Sequence, residues 1–205
     1  MVSTLGRDDV EIIAKDTVFK GYFQVDRYRL RHRAFAGGWT QPLTREVFER
    51  GHAVSVLLYD PVRDEVALIE QFRAGALAAG LNPWLVEVVA GIIEDGESPE
   101  EVARREVREE AGCAVDDLVF ISQILLSPGA VSETVRMYCA RVDGSGIAGL
   151  HGLESEGEDI RVFTLATDQA LAMVKDGRIN NSVAVMSLLW LAGERDSLRK
   201  RWGVG

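Results

Sequence analysis

The chain has 205 residues, 47% of them hydrophobic, and its 23 lysines and arginines against 32 acidic residues give a net charge of −9. This length suits one domain with at most a small extension, and the apolar content is too high for intrinsic disorder. The negative charge disfavours nucleic acids and anionic membranes as partners, because both would repel it.

We expect a soluble, cytoplasmic protein. The first residues lack the basic segment and apolar run of a signal peptide, and no apolar run reaches the roughly 20 residues that cross a bilayer. The two cysteines and three histidines are scattered, and they match neither a disulfide framework nor a zinc pattern.

The chain begins with segments that are typical of β-strands, in which polar residues mix with β-branched and aromatic ones. The turn Asp60–Asp64 lies between two apolar runs and predicts a hairpin, because proline and aspartate favour turns. The small residues of Ala74–Pro83 predict a loop. The predicted strands are Val10–Lys15, Tyr22–His32, Thr44–Phe48, Ala53–Tyr59, Glu65–Glu70, Trp84–Val89, Leu118–Leu126, Val135–Val142 and Ile160–Leu165.

One helix is predicted with both of its ends. Ser98 can cap its N-terminus, Pro99 takes the first helical position, Glu101 completes a capping box and Gly112 ends it. Two further helices are predicted near the C-terminus. They run from a cap at Thr167 or Asp168 to Lys175, and from about Ser182 to Gly193. Strands with three interspersed helices indicate an α+β fold with a mixed sheet rather than a doubly wound parallel sheet.

The helix from Pro99 carries glutamates on two different faces. At about 100° per residue, Glu106 and Glu110 fall on the apolar side and Glu109 falls at its rim. Carboxylates that face a core need a raised pKa, an arginine partner or a bound cation. Arg105 and Arg73 are too few for a cluster that also includes Glu97, which favours divalent cations. A solvated acidic rim is the alternative that the helical wheel leaves open.

The segment Gly91–Cys113 resembles the signature box of the Nudix hydrolases, G-x5-E-x7-R-E-U-x-E-E-x-G-U, where U is an aliphatic residue. Every fixed residue of the box is present, and only the last aliphatic position departs from it, as Cys113. The resemblance extends to the ADP-ribose pyrophosphatase branch of that family. The segments that carry it are Glu70–Arg73, Pro83–Glu87, Ser127–Gly129 with Pro128, Glu156–Val162 and Gly177–Asn181.

The resemblance implies an α/β/α sandwich with a mixed sheet and a small N-terminal β extension. Residues 1–50 would form the extension, exchanged across a homodimer to contact substrate, and residues 51–205 would form the catalytic domain. The implied reaction is attack of water on a phosphorus of ADP-ribose, which gives AMP and ribose 5-phosphate. It would use Mg²⁺, or Mn²⁺ in its place, as about two or three ions.

Two alternatives remain open at this point. One is a sibling nucleotide-sugar diphosphatase, for example one that acts on a GDP-hexose, because the box determines the chemistry and not the leaving group. The other is a Nudix domain that senses ADP-ribose without catalysis.

The resemblance also assigns roles to particular residues. Glu106 and Glu110 correspond to the principal metal ligands, and Glu109 with the backbone carbonyl of Ala90 completes the set. Arg105 corresponds to the residue that orients these glutamates through charge-assisted hydrogen bonds.

The general base is expected in the glycine-flanked acidic loop Gly152–Asp159. Glu156 is the first choice, and Glu158 is the second choice or a metal contact; a solvated surface loop is the alternative. Substrate contacts are implied for Arg45, Glu46, Arg73, Glu87 and Glu133. Tyr22 and Phe23 correspond to aromatics that stack on adenine, although core or sheet-surface packing would explain them equally well.

Overall fold

The computed structural model describes residues 4–153, 155 and 157–204. The chain divides into two compact units. The first extends to His52 and also includes Leu125–Thr134, and the second consists of Ala53–Ile124 and the chain from Val135 onwards.

The first unit contains a three-stranded antiparallel sheet in the order β1-β2-β3. Its strands are β1 (Val10–Lys20), β2 (Gln24–His32) and β3 (Leu43–Glu49), preceded by a short 3₁₀ helix, Arg7–Asp9. All three predicted strands are confirmed. The first is longer than predicted, and every residue of β1 is exposed on this edge of the sheet.

The second unit contains an eight-stranded sheet. Six strands follow the order β10-β11-β5-β4-β9-β8, with β6 paired to β5 and β7 paired to β4. The sheet is mixed, because β4 and β9 are parallel while β4–β5 and β5–β11 are antiparallel. The strands are β4 (His52–Asp60), β5 (Glu65–Phe72), β6 (Trp84–Glu87), β7 (Val89–Ile93), β8 (Leu118–Leu125), β9 (Thr134–Arg141), β10 (Gly149–His151) and β11 (Ile160–Ala166).

Among the residues that the structure describes, four α-helices accompany this sheet: α1 (Ala74–Ala78), α2 (Pro99–Ala111), α3 (Thr167–Lys175) and α4 (Ser182–Arg201). The alternating side chains of β4 contribute to two cores. Val56 packs in the cluster that contains Val107 of α2, and Leu57 packs in the cluster that contains Leu188 of α4. The sheet is therefore covered by α2 on one face and by α3 and α4 on the other, which confirms the predicted α/β/α sandwich. None of the described helices combines the length and the apolarity that a membrane crossing requires.

Several element predictions were wrong in detail. The loop predicted over Ala74–Pro83 begins with α1, and the single strand predicted over Trp84–Val89 is two strands that pair with different neighbours. The last helix continues past Gly193 to Arg201, because its apolar face continues through the buried Leu198.

The predicted cap of α3 was also wrong. Thr167 is the first helical residue, and its hydroxyl donates to the backbone carbonyl oxygen of Asp64 at 2.9 Å instead of capping the helix.

Candidate active site

The helix α2 begins and ends as its sequence predicts. The Ser98 hydroxyl accepts a hydrogen bond from the Glu101 backbone N–H, and the Glu101 carboxylate accepts one from the Ser98 backbone N–H at 3.2 Å. Pro99 takes the first turn, and Gly112 closes the helix at φ 64°. A left-handed residue at this position favours glycine, because a side chain would be strained there. Local chemistry therefore fixes the length of this helix and the angular positions of its glutamates.

The glutamates of α2 lie in two different environments. Glu110 is 2% exposed, whereas the side chains of Glu106 and Glu109 are 12% and 29% exposed. Glu100 and Glu101 lie on the exposed face. That outer face is not simply solvated, because Glu100 accepts a 2.6 Å hydrogen bond from the hydroxyl of the buried Tyr138.

Glu110 is a buried carboxyl that has no arginine in contact with it. Its Oε2 accepts a hydrogen bond of 3.0 Å from the backbone N–H of Ala90 on β7. Burial raises the pKa of Glu110 to about 8; the charges of Glu106 and Glu158 also raise it, while the Ala90 bond and Arg73 lower it. A carboxyl in this environment needs positive charge close by to ionise at neutral pH.

Glu106 lies directly against the backbone of Gly91. A Cβ atom at position 91 would be 2.0 Å from both the Cδ and the Oε1 of Glu106. Only glycine leaves space there for the carboxylate, so β7 brings its backbone close to the two inward-facing glutamates of α2.

Arg105 contacts three of the carboxylates. Its Nη1 lies 2.8 Å from Glu106 and 3.3 Å from Glu109, and its Nη2 lies 3.3 Å from Glu97. One guanidinium therefore faces three carboxylates while Glu110 has none. This imbalance of charge agrees with the expectation that arginines alone do not compensate the cluster.

The donor set fits a hard divalent cation, since carboxylate oxygens are the ligands that Mg²⁺ prefers. Among the described residues, however, no three acidic, histidine or cysteine side chains converge as a finished metal site. Arg105 and the Ala90 N–H contact the carboxylate oxygens instead. Cation binding would have to ionise Glu110 and loosen these contacts.

Arg73 and Glu87 form an ion pair beside this cluster. The Arg73 Nε lies 2.8 Å from the Glu87 Oε2, and the same oxygen accepts a bond of 3.2 Å from the Gln71 amide. Gln71 is 7% exposed and the Glu87 side chain is 13% exposed. Sequence reasoning named Arg73 and Glu87 but missed Gln71. The period of two along β5 was the available signal, because it places Gln71 on the same face as the buried Ile69.

The acidic loop is described only in part. The first-choice base, Glu156, lies outside the described residues. Glu158 accepts a 3.1 Å hydrogen bond from the Leu153 backbone N–H, and its charge acts on Glu110. The loop begins next to the end of α2, where the Gly152 N–H donates to the Glu109 carbonyl at 3.4 Å.

The first unit holds the remaining predicted substrate residues. Tyr22 is 88% exposed and meets Phe23 edge-on at 4.7 Å between ring centroids. The ring centroids of Phe23 and Phe48 are 5.0 Å apart, and the Arg50 guanidinium lies 5.6 Å from the Phe23 ring centroid. Arg50 has no counterpart among the predicted site residues, and no pattern in the sequence indicated it.

Arg50 also pairs with Glu133 at 3.3 Å. Glu133 is 4% exposed, and burial raises the pKa of its carboxyl. The predicted contacts Arg45 and Glu46 are adjacent on β3, so their side chains point to opposite faces of the sheet. Arg45 lies opposite Tyr28 in the strand register, and Glu46 lies opposite Arg27 and pairs with it at 2.9 Å.

Comparison with known proteins identifies related chains. The family model described as NUDIX domain matches residues 49–179. The chain is 47% identical over 199 residues to the ADP-ribose pyrophosphatase of Escherichia coli strain K12, which covers 97% of this chain and 95% of the relative. The ADP-ribose pyrophosphatase of Haemophilus influenzae is 38% identical over 204 residues, covering 98% of this chain and 94% of the relative.

Relatives of lower identity include proteins named for a different activity. The GDP-mannose pyrophosphatase of Pectobacterium atrosepticum is 33% identical over 180 residues, covering 87% of this chain and 92% of the relative. A crystal structure of an ADP compounds hydrolase matches with a TM-score of 0.70 over the whole of both chains. At 21% identity, that match supports the fold alone.

Proposed function

The chain belongs to the NUDIX domain family, and we propose that it is an ADP-ribose diphosphatase. The reaction is hydrolysis of the diphosphate bond, which gives AMP and ribose 5-phosphate through attack of water on phosphorus. The identity to ADP-ribose pyrophosphatases over nearly the whole chain supports this substrate.

One observation carries the chemical side of the proposal, namely the glutamate pair of α2. Glu110 is buried with a raised pKa, and Glu106 lies in the space left by Gly91. Buried acids in this arrangement are costly for folding, so a ligand that stabilises their charge is expected. Glu106, Glu109, Glu110 and the Ala90 carbonyl would hold about two or three divalent cations, Mg²⁺ in preference to Mn²⁺. When bound, magnesium would neutralise the diphosphate oxygens and favour ionisation of the attacking water.

Side chains around this site would orient the metal ligands, accept a proton from water and bind the substrate charge. Arg105 orients Glu106 and Glu109 through its short contacts with both. Glu156 is proposed as the general base that accepts a proton from the attacking water, with Glu158 as its alternative. Arg73 provides a positive charge that acts on Glu110 and would bind the charge of the substrate.

We also propose that the chain forms a homodimer through the N-terminal extension, residues 1–50, which lies in its first unit. The edge strand β1 is exposed along its whole length and carries Ile12 at 60% and Phe19 at 59% exposure. An exposed edge strand with apolar side chains is a surface that commonly pairs with another chain. In such a dimer Tyr22, Phe23, Arg45, Glu46 and Glu133 would contact substrate.

A charge substitution on β1 tests the dimer. We expect Phe19→Lys to reduce the mass measured by light scattering from that of a dimer to that of a monomer, whereas Val62→Lys, on a turn of the second unit, would not. A monomer for the unsubstituted protein would contradict the proposal.

A cytoplasmic location is also proposed, in keeping with a nucleotide substrate. Both cysteines, Cys113 and Cys139, are free thiols, as reducing compartments favour.

A panel of nucleotide sugars tests the substrate. ADP-ribose, ADP-glucose and GDP-mannose would be assayed with Mg²⁺ and with Mn²⁺, and AMP or GMP would be quantified by chromatography. We expect ADP-ribose to have the highest kcat/KM. GDP-mannose is the second candidate because of the relatives that are 33–35% identical, and a higher kcat/KM for it would replace the proposal.

A further inference from the structure

The backbone of Arg73 is fixed where β5 ends. Its N–H donates to the Pro83 carbonyl at 2.7 Å, and its own carbonyl accepts from the Ala76 N–H at 3.1 Å. Arg73 has extended dihedrals, φ −128° and ψ 109°, and is the residue before α1. The extended backbone of β5 therefore continues through Arg73, which keeps the alternation of side chains along the strand.

The alternation of β5 determines what this side chain meets. Ile69, Gln71 and Arg73 are two residues apart, so they point to the same side of the extended chain. Ile69 belongs to the core that α2 covers, and Glu87 lies directly opposite Ile69 on β6. Gln71, Arg73 and Glu87 are therefore neighbours on the α2 side of the sheet, the side to which Glu106 and Glu110 project.

The three polar side chains share one oxygen. The Glu87 Oε2 accepts from the Arg73 Nε at 2.8 Å and from the Gln71 Nε2 at 3.2 Å. Gln71 is 7% exposed, the Glu87 side chain 13% and the Arg73 side chain 45%. Exposure thus increases stepwise from a buried amide through a shielded carboxylate to a guanidinium at the surface.

This arrangement leaves the binding end of the guanidinium available. Only the Nε of Arg73 is engaged by Glu87, and no described residue accepts a hydrogen bond from Nη1 or Nη2. Those two nitrogens carry four N–H donors in a planar fork that matches phosphate oxygens. Because Glu87 restricts the rotamers of Arg73, the Arg73 side chain would lose less conformational entropy when it binds an anion.

We propose that Gln71 and Glu87 are positioning residues that hold Arg73 ready to bind the substrate diphosphate, so that Glu87 acts through Arg73 and not on the substrate. This inference rests on the proposed function for the substrate, and it changes the role that the sequence predicts for Glu87. Arg73 is the residue that touches the anion.

A double-mutant cycle tests the proposal. We would measure kcat and KM for ADP-ribose at saturating Mg²⁺ in the single variants Arg73→Ala, Gln71→Leu and Glu87→Gln. The same constants would be measured in two double variants, which combine Arg73→Ala with Gln71→Leu or with Glu87→Gln. Arg73→Ala is expected to raise KM by about 10-fold or more, and the two positioning variants by about 3- to 10-fold with a smaller change in kcat. In the Arg73→Ala background, Gln71→Leu and Glu87→Gln are expected to change KM by less than about 2-fold.

Glu70→Gln is the matched control. Glu70 is the neighbour of Gln71 on β5 and pairs with Arg161 at 2.9 Å, so this variant removes a similar ion pair from the other side of the strand. We expect its KM to equal that of the unsubstituted protein. Calorimetric titration of ADP-ribose into each variant in EDTA gives a second readout, in which the affinities should follow the same order.

Two results would overturn the inference. One is an undiminished effect of Glu87→Gln in the Arg73→Ala background, which would mean that Glu87 contacts the substrate itself. The other is a fall in both kcat and melting temperature in Gln71→Leu and in Glu87→Gln with no change in KM, which would indicate a purely structural role. Failure of the unsubstituted protein to release AMP from ADP-ribose would refute the proposed function instead, and the two failures are therefore distinguishable.

Discussion

The buried carboxyl of Glu110 gives the sharpest test of the charge balance in this site. The change is Glu110→Gln, which removes the ionisable group but keeps its size. The amide oxygen of glutamine can still accept the hydrogen bond that the Ala90 N–H donates at 3.0 Å. The variant therefore isolates the titration of Glu110 from its packing.

The pKa of Glu110 determines the sign and the size of the effect. It rises from 4.5 in the unfolded chain to about 8 in the metal-free folded state. Between these values the folded state binds more protons than the unfolded state, so the free energy of unfolding falls as pH rises. The slope approaches about 1.4 kcal/mol per pH unit, and a pKa difference of roughly 3.5 gives a total loss of about 3 to 5 kcal/mol.

The assay is urea unfolding in EDTA, followed by tryptophan fluorescence at several pH values from 4.5 to 8.5. We expect the stability of the unsubstituted protein relative to Glu110→Gln to fall across this range, because the variant stays neutral throughout. Mg²⁺ should raise the melting temperature of the unsubstituted protein more at pH 8 than at pH 6, since the cation needs the ionised carboxylate. Parallel stability curves for the two proteins in EDTA would refute the reasoning.

Further substitutions test the other parts of the site. Glu106→Gln should lower kcat by about 100-fold or more. Glu100→Gln should leave kcat unchanged, because glutamine still accepts the Tyr138 hydrogen bond. Equal losses of kcat in both variants would contradict the assignment of these glutamates to different faces of α2. Gly91→Ala should displace the Glu106 carboxylate, whose Cδ would lie 2.0 Å from the new Cβ, and should lower kcat by about 10-fold or more. Because the Glu106 side chain can move aside, the melting temperature of Gly91→Ala should change little. A fully active Gly91→Ala variant would contradict the close contact between the Glu106 carboxylate and the Gly91 backbone. Glu156→Gln and Glu158→Gln compare the two candidate bases, and the one whose kcat falls more and loses its acidic pH limb is the base.

Local chemistry in the sequence was sufficient to determine α2. The Ser98 cap, the capping box with Glu101 and the left-handed Gly112 all act within one or two turns of the chain, so no distant residue was needed to predict them. The same locality explains why the inward position of Glu110 followed from helical periodicity alone.

Predictions that depended on distant contacts were less accurate. The predicted end of the last helix at Gly193 ignored the core contact of Leu198, and the predicted caps of α3 ignored the bond between Thr167 and Asp64. In both places a contact from far along the chain overrode a local preference.

The sequence by itself determined which residues carry the negative charge and on which face of α2 they lie. Only the tertiary structure decided how differently these residues behave. The approach of β7 buries Glu110 against Ala90 and places Glu106 over Gly91, and the β5–β6 pairing brings Glu87 and Gln71 to Arg73. Desolvation and ion pairing depend on atoms that are distant in the chain, and for that reason a helical wheel predicts the direction of a carboxylate but not its pKa or its partner.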